Sequence, residues 1–269
     1  MIETPAAVLV VLATGGTALG LSLLVRRTSP RLGSVATAPW SSTLSYVATA
    51  YGVVVGFSIL YLFGEFSDAR QAVGDEATSI GTAFEEAWLF PDDADAIQHA
   101  LICYARAVPE FEWPALQDSR SAPEVDQAFR EIFLALGEAR QPAESTFQPA
   151  TATNLVVQVG NISSARETRL VAAETYLPRT LWALLLGGGL LVVAMIFAVT
   201  LPARAVTQAA LVGLSATFTV TLIMIVFALS SPFAAEAGRI TPRLIEETTA
   251  TMEAAAPAAA RPCDIGDGR

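Results

Sequence analysis

The chain has 269 residues, of which 53% are hydrophobic and 16% charged, with a formal charge of −10. An average soluble domain is about 25% charged, so this balance disfavours a soluble enzyme. No charge falls between Arg31 and Glu65, between Arg179 and Arg204, or between Arg204 and Glu236. These gaps exceed the roughly 18 apolar residues that read as a membrane-spanning helix, and the chain reads as a multi-pass protein of a cell membrane, a bacterial inner membrane by expectation.

In chain order, the first span runs from about Ala6 to Val25. A secretory signal would carry positive charge before its apolar stretch, whereas Arg26 and Arg27 follow it, so a retained anchor is expected despite Ala36-Thr37-Ala38 resembling a cleavage site. The second span covers Leu44 to Phe63, the third Thr180 to Leu201 and the fourth about Ala209 to Leu229. Trp40, Tyr46, Tyr61 and Trp182 lie at span ends, where amphipathic rings favour the headgroup layer. The short connections at Arg26–Ser45 and Pro202–Gln208 carry arginine and no acid. Short basic loops stay on the cytoplasmic side, which places the N-terminus, the middle region and the tail outside.

Between Gly64 and Tyr176 there are 19 acidic residues against 7 arginines, a charge of −12, while the rest of the chain sums to +2. So acidic a region repels nucleic acid. Phe66, Ala69, Val73, Ala77, Ile80, Phe84 and Ala87 recur three or four apart, predicting one helix that continues from the second span to Pro91. Asp92 or Asp93 can cap a second helix with Ile97, Leu101, Tyr104 and Val108 on its buried face. Pro109 and Pro114 bracket a break, and Pro123 opens a third helix striped by Val125, Phe129, Ile132 and Leu136. Leu155, Val159, Ile162, Arg169, Ala173 and Tyr176 predict a fourth, leading into the third span at Pro178.

The expected fold is therefore an all-α membrane protein: four transmembrane helices with a helical extramembrane bundle between the second and third spans. Its domains would be residues 1–63 (spans one and two), 64–176 (the acidic bundle), 177–235 (spans three and four) and 236–269 (a short helix and a tail). The tail from Ala250 is rich in alanine and proline and is expected to be disordered, since it offers little apolar surface to offset its ordering entropy.

Catalysis has poor candidates. His99 is the only histidine, with Cys103 one turn later, and a metal would need further ligands that no Cys/His cluster supplies. Cys103 and Cys263, the two cysteines, read as too few and too far apart for a disulfide framework or a metal site. No phosphate loop, nucleophile elbow or dinucleotide fingerprint occurs. Neither enzymatic activity nor a cofactor is expected.

Small residues within the spans say more. Ala48, Gly52 and Gly56 recur every four residues, as do Gly16 and Gly20, and such ridges let helices approach closely. Gly187-Gly188-Gly189 thins the third span at an expected contact. Gly213, Thr217 and Thr221 form a small, hydroxyl-bearing line in the fourth span. Such a line suits a pore or polar partner, or hydroxyls bonded back to their own helix. Where the chain leaves the membrane, Glu65, Asp68 and Glu76 on one helix would face Arg166, Arg169 and Glu174 on an antiparallel neighbour. They read as exposed ion pairs worth about 0–1 kcal/mol each, or as a charged ring or gate.

Tyr51-Gly52 with Gly56-Phe57, Ala69, Val73 and Glu76-Ala77, then Tyr104, Val108 and Glu112-Trp113-Pro114, then Arg166, Arg169-Leu170, Leu177-Pro178 and Leu181-Trp182, and finally Pro232-Phe233 follow one another in an order that resembles the bestrophin-like-domain membrane proteins, a bacterial and plant family. The resemblance covers roughly residues 44–245. It implies a homo-oligomer of four-span subunits with helices extending beyond the membrane and, by the family's name, an ion-conducting pore. Bestrophins proper carry an acidic calcium clasp near the fourth span, but Ala234-Ala235-Glu236-Ala237 offers a single carboxylate, so calcium gating is not expected. The family layout also suits a cytoplasmic bundle, against the loop charges, and both orientations stay open. The expected partners are further copies of the chain, membrane lipid and inorganic ions, with cations favoured by the acidic bundle. The alternative is a non-conducting scaffold or sensor that binds a protein through that bundle.

Overall fold

The computed structural model describes residues 4–28, 38–90, 92–138, 148–174, 177–233 and 240–264. Among these, every regular element is a helix: α1 (Thr4–Thr28), α2 (Ala38–Ala87), α3 (Ala94–Ala107), a π-helical turn (Val108–Glu112), α4 (Trp113–Gln117), α5 (Pro123–Glu138), α6 (Gln148–Glu174), α7 (Arg179–Val199), α8 (Ala205–Leu229) and α9 (Arg243–Ala255). Among the described residues three helices are long and apolar enough to cross a membrane: α2, α7 and α8. The expected first span falls in α1, whose apolar stretch among the described residues, Leu12–Val25, is shorter than those three.

The chain divides into two compact units. The first comprises residues 1–64 and 176–231 with 235–238; the second comprises 65–175, 232–234 and 239–269. Helix α2 contributes to both. At 50 residues it is about 75 Å long, well over the roughly 30 Å of a hydrocarbon core. The periodic run Phe66 to Ala87 thus continues one unbroken helix, as its spacing predicts. Helix α6 does not extend α7 in the same way, because α6 ends at Glu174 and α7 begins at Arg179 behind Pro178.

In the first unit α8 packs along α1 and, on another face, against α7, while α1 and α7 have little direct contact. Glycine makes the α1–α8 approach possible. A methyl group on Gly213 would come within 3.3 Å of the Gly15 carbonyl oxygen, and one on Gly15 would collide with the Thr217 hydroxyl. The close contact thus falls at Gly15, one residue from the Gly16/Gly20 ridge, which meets nothing within 4 Å among the described residues. The thinning at Gly187–Gly189 has a clear purpose. Gly188 and Gly189 admit the Tyr51 ring, whose hydroxyl donates to the Leu185 carbonyl at 3.1 Å, and Gly189 also clears the Thr219 methyl.

The second unit has one hydrophobic core, formed by Ile80 and Phe84 of α2, Leu101 and Tyr104 of α3, Ile132 of α5, Val159 and Ile162 of α6, and Ile245 and Met252 of α9. Two expectations fail here. The segment between Pro109 and Pro114 is not a break: it is the π turn followed directly by α4, with the Trp113 N–H donating to the Val108 carbonyl. Each proline lacks an N–H, and the wider turn lets the chain stay helical around the missing donors. The tail from Ala250 is also ordered through residue 264. It stays helical to Ala255, then packs Ala256 and Ala259 into the core, and Cys263 is disulfide-bonded to Cys103. The 160 residues separating the two cysteines do not keep them apart, because α9 returns the chain to α3.

The tail is further held by polar contacts that its composition does not advertise. Arg106 bonds Glu253 through Nε at 2.7 Å and donates to the carbonyls of Arg261 and Ala260 at 2.9 and 3.0 Å. Arg261 reaches Asp95 at 2.6 Å, and the half-buried His99 ring donates from Nδ1 to the Ala259 carbonyl at 2.8 Å.

Candidate functional site: a buried charge network and two intramembrane lines

Four helical segments bring their charges to one place in the second unit. Arg169 of α6 is wholly buried and donates from Nε and Nη2 to the Glu76 carboxylate of α2, at 2.9 and 3.0 Å. The same Nη2 reaches Glu112 of the π turn at 2.5 Å. Arg166, one turn earlier on α6, pairs with Glu112 through Nε and Nη2, at 3.0 and 2.5 Å, and with the half-exposed Asp126 of α5 at 2.7 Å. The Tyr104 hydroxyl donates to Glu76 at 2.6 Å. The Arg169 guanidinium also lies 5.1 Å from the Trp113 ring centroid, and Trp113 in turn donates to the Ile240 carbonyl and packs edge-on against Phe233.

The chemistry follows from burial. An isolated charge in so dry a place costs several kcal/mol, and here two arginines meet two fully buried glutamates, a neutral set with Asp126 at its rim. Burial by itself weakens the basicity of both guanidiniums. The carboxylates of Glu112 and Glu76 more than offset this and hold Arg166 and Arg169 above the ordinary arginine range. Tyr104 is pushed well above the usual phenol value, first by burial and then by the neighbouring Glu76 carboxylate. One donor, Arg169 Nη1, is buried with no hydrogen-bond acceptor. The guanidinium also meets the aromatic face of Trp113, a favourable cation–π contact.

Of the expected neck residues, the structure therefore joins Glu76, Arg166 and Arg169. The Glu76–Arg169 pairing is the antiparallel coupling that the sequence suggested, but the exposed-pair reading is corrected, because both partners are fully buried. Glu65 is half-buried, and Asp68 and Glu174 are exposed; none of the three belongs to the network. Glu112, Tyr104 and Asp126 were not picked out for this role. The signal that could have found Glu112 is its place in Glu112-Trp113-Pro114, where a carboxylate precedes two residues suited to a packed turn.

The hydroxyl line of α8 takes a mixed form. Gly213 faces α1, Thr217 approaches Gly15, and the Thr221 hydroxyl donates back to the Thr217 carbonyl at 2.9 Å. On α2, Gly52 and Gly56 are exposed and meet nothing within 4 Å among the described residues, and Ala48 is half-buried. Among the described residues no group of three or more His, Cys, Asp or Glu is placed to hold a metal ion. The Ala234–Ala237 segment, where a calcium clasp would sit, lies outside the described residues, as do Tyr176 and Arg239.

No curated protein matches the sequence. Among solved structures, the fold is similar to a bacterial bestrophin homologue from Klebsiella pneumoniae, with a TM-score of 0.73 at 12% identity over 95% of this chain and all of the other. A single-substitution variant of that homologue gives a TM-score of 0.73 at 13% identity over 94% and 99% of the two chains. At such identity the likeness concerns the fold alone. The bestrophin-like domain family matches the sequence itself over residues 7–238, and this chain is a membrane protein belonging to that family.

Proposed function

We propose that this protein is the subunit of a homo-oligomeric ion channel of the cell membrane, with permeation favouring cations. The observation that carries the reading is the uncovered apolar and glycine-lined surface of α2. Phe57, Leu60 and Phe63 are exposed beside the open Gly52 and Gly56, on a helix that crosses the membrane and continues into the acidic unit. One chain with so few spans cannot enclose a water-filled path, so conduction needs copies arranged about an axis, and a glycine ridge is the surface on which helices of neighbouring copies can close.

The cation preference rests on charge. Glu76 and Glu112 cancel Arg166 and Arg169 within the core. These two arginines are thus not available to reverse the sign of an acidic region that carries −12 per chain. Vestibules lined by one sign concentrate the opposite ion. Reconstitution into liposomes, with reversal potentials measured in a salt gradient, tests both parts. A potential near the cation equilibrium value supports the reading, and one near the chloride value removes the cation preference. Absence of flux at every pH and voltage removes the channel and leaves the non-conducting scaffold.

A further inference from the structure

Between α1, α7 and α8 of the first unit lies an open cleft, a cavity of about 540 Å³, within the 300–1,000 Å³ usual for ligand sites. It exists because α1 and α7 each pack on α8 and have little direct contact with each other. Its walls are almost wholly apolar: Leu21 and Val25 of α1, Leu190 and Phe197 of α7, Val212 and Ile223 of α8. The α1 residues that line it run from Thr14 to Val25, about 16 Å along the helix axis. The shape is therefore elongated along the spans.

One polar atom breaks the pattern. Ser22 lines the cavity, is 3% exposed, and its hydroxyl has no hydrogen-bond partner. Hydroxyls elsewhere in these helices satisfy themselves by bonding back along the chain: Thr14 to Val10, Thr17 to Thr14, Ser215 to Leu211 and Thr221 to Thr217. A buried hydroxyl left unpaired is costly. Water is a poor remedy, since an ordered water needs two to four polar partners, and of the described residues lining the cavity Ser22 alone has a buried unpartnered polar atom.

Position supplies the remaining argument. Gly213 meets Gly15 and Leu19, while Thr217 meets Gly15, so α1 runs antiparallel to α8. Ser22 therefore lies toward the start of α8, the end nearest the Pro202–Arg204 turn, and Thr14 lies deeper in the span. A molecule that satisfies this site is apolar over most of its length and carries an acceptor near the membrane surface.

We propose that the cavity binds one acyl chain of a membrane glycerophospholipid, whose ester carbonyl accepts a hydrogen bond from the Ser22 hydroxyl. The chain enters between α1 and α7 and lies along α8. The site lies on no part of the charge network and does not depend on conduction.

The test uses the full-length protein in phosphatidylethanolamine–phosphatidylglycerol vesicles that contain a tracer phospholipid with a photoactivatable diazirine in its acyl chain. After irradiation, labelled peptides are mapped by mass spectrometry. Labelling should concentrate on the lining segments of α1, α7 and α8. Ala18→Phe and Ala194→Phe, which fill the cavity, should lower it about tenfold, with the exposed Leu214 and Phe218 face of α8 labelled as before. Ser22→Ala, which keeps the cavity and removes only the hydroxyl, should lower it about fivefold, the factor carried by one neutral hydrogen bond. Labelling spread evenly over the outer faces, or unchanged in all three variants, overturns the proposal. So does a Ser22→Cys variant that crosslinks to a neighbouring subunit, because a protein side chain would then fill the space.

Discussion

Replacing Arg169 by methionine keeps most of the side-chain volume and removes the cation at the centre of the network. Glu76, which is fully buried, would retain only the Tyr104 hydroxyl as a partner, and Glu112 would retain Arg166. Breaking one side of a buried ion pair costs about 3–5 kcal/mol, because the remaining charge has no solvent to turn to. At about 2–4 °C per kcal/mol for a domain of this size, the unfolding midpoint should fall by about 6–20 °C. The assay is thermal unfolding in detergent followed by tryptophan fluorescence, for which Trp113 beside Arg169 is a built-in reporter. The scan rate must be held fixed, since irreversible unfolding makes the midpoint rate-dependent. Asp118→Ala is the control: it removes an exposed pair with Arg120, of a kind worth about 0–1 kcal/mol. The double variant Glu76→Gln/Arg169→Met should lose less than the sum of its single changes, because partners in contact couple. An Arg169→Met midpoint indistinguishable from that of Asp118→Ala would refute the reasoning, since the network would then behave as solvated surface charge.

Two further outcomes follow from the packing and titration described above. Gly189→Val should separate α7 from α2 and α8, because even a first carbon at this position would lie 2.7 Å from the Thr219 methyl and 2.8 Å from the Tyr51 hydroxyl; a midpoint lowered by more than that of Gly187→Val, whose added carbon meets nothing within 4 Å, checks this. Tyr104 binds its proton more tightly when folded than when unfolded, so its contribution to stability is complete below about pH 10, the unfolded phenol value, and declines as pH rises above it. Tyr104→Phe should therefore flatten the fall of the unfolding midpoint above about pH 10, and equal slopes in the two proteins would contradict the assignment.

The sequence made the helical character and the apolar spans legible because both follow from periodicity and charge gaps along the chain. Phe66 to Ala87 reads correctly as part of one helix since no breaker interrupts its stripe. The π turn was not legible: Pro109 and Pro114 signal a lost donor but do not say how the backbone re-routes around it. The tail was misread because alanine buries little surface by itself. Its order comes from Arg106, His99 and Cys103, which stand more than a hundred residues earlier. The charge network was half legible. Glu76 and Arg169 could be paired by treating α2 and α6 as antiparallel neighbours, but burial depends on Glu112, Trp113 and α5 closing over them, a tertiary fact with no local signature.

The bond between Cys103 and Cys263 gives the protein a chemical record of the side of the membrane on which its second unit resides. Disulfides persist in oxidising compartments and are reduced in a cytosol. A thiol reagent would thus find nothing to modify in a unit facing outward, the side favoured by the arginine-bearing short loops, and both cysteines in one facing the cytosol. The difference also has a thermodynamic size. Closing a loop of 160 residues removes about 5 kcal/mol of unfolded-chain entropy on the chain-entropy account. Insertion of the same polypeptide in the opposite sense would therefore yield a measurably less stable protein, with its last helix fastened only by hydrogen bonds, ion pairs and packing.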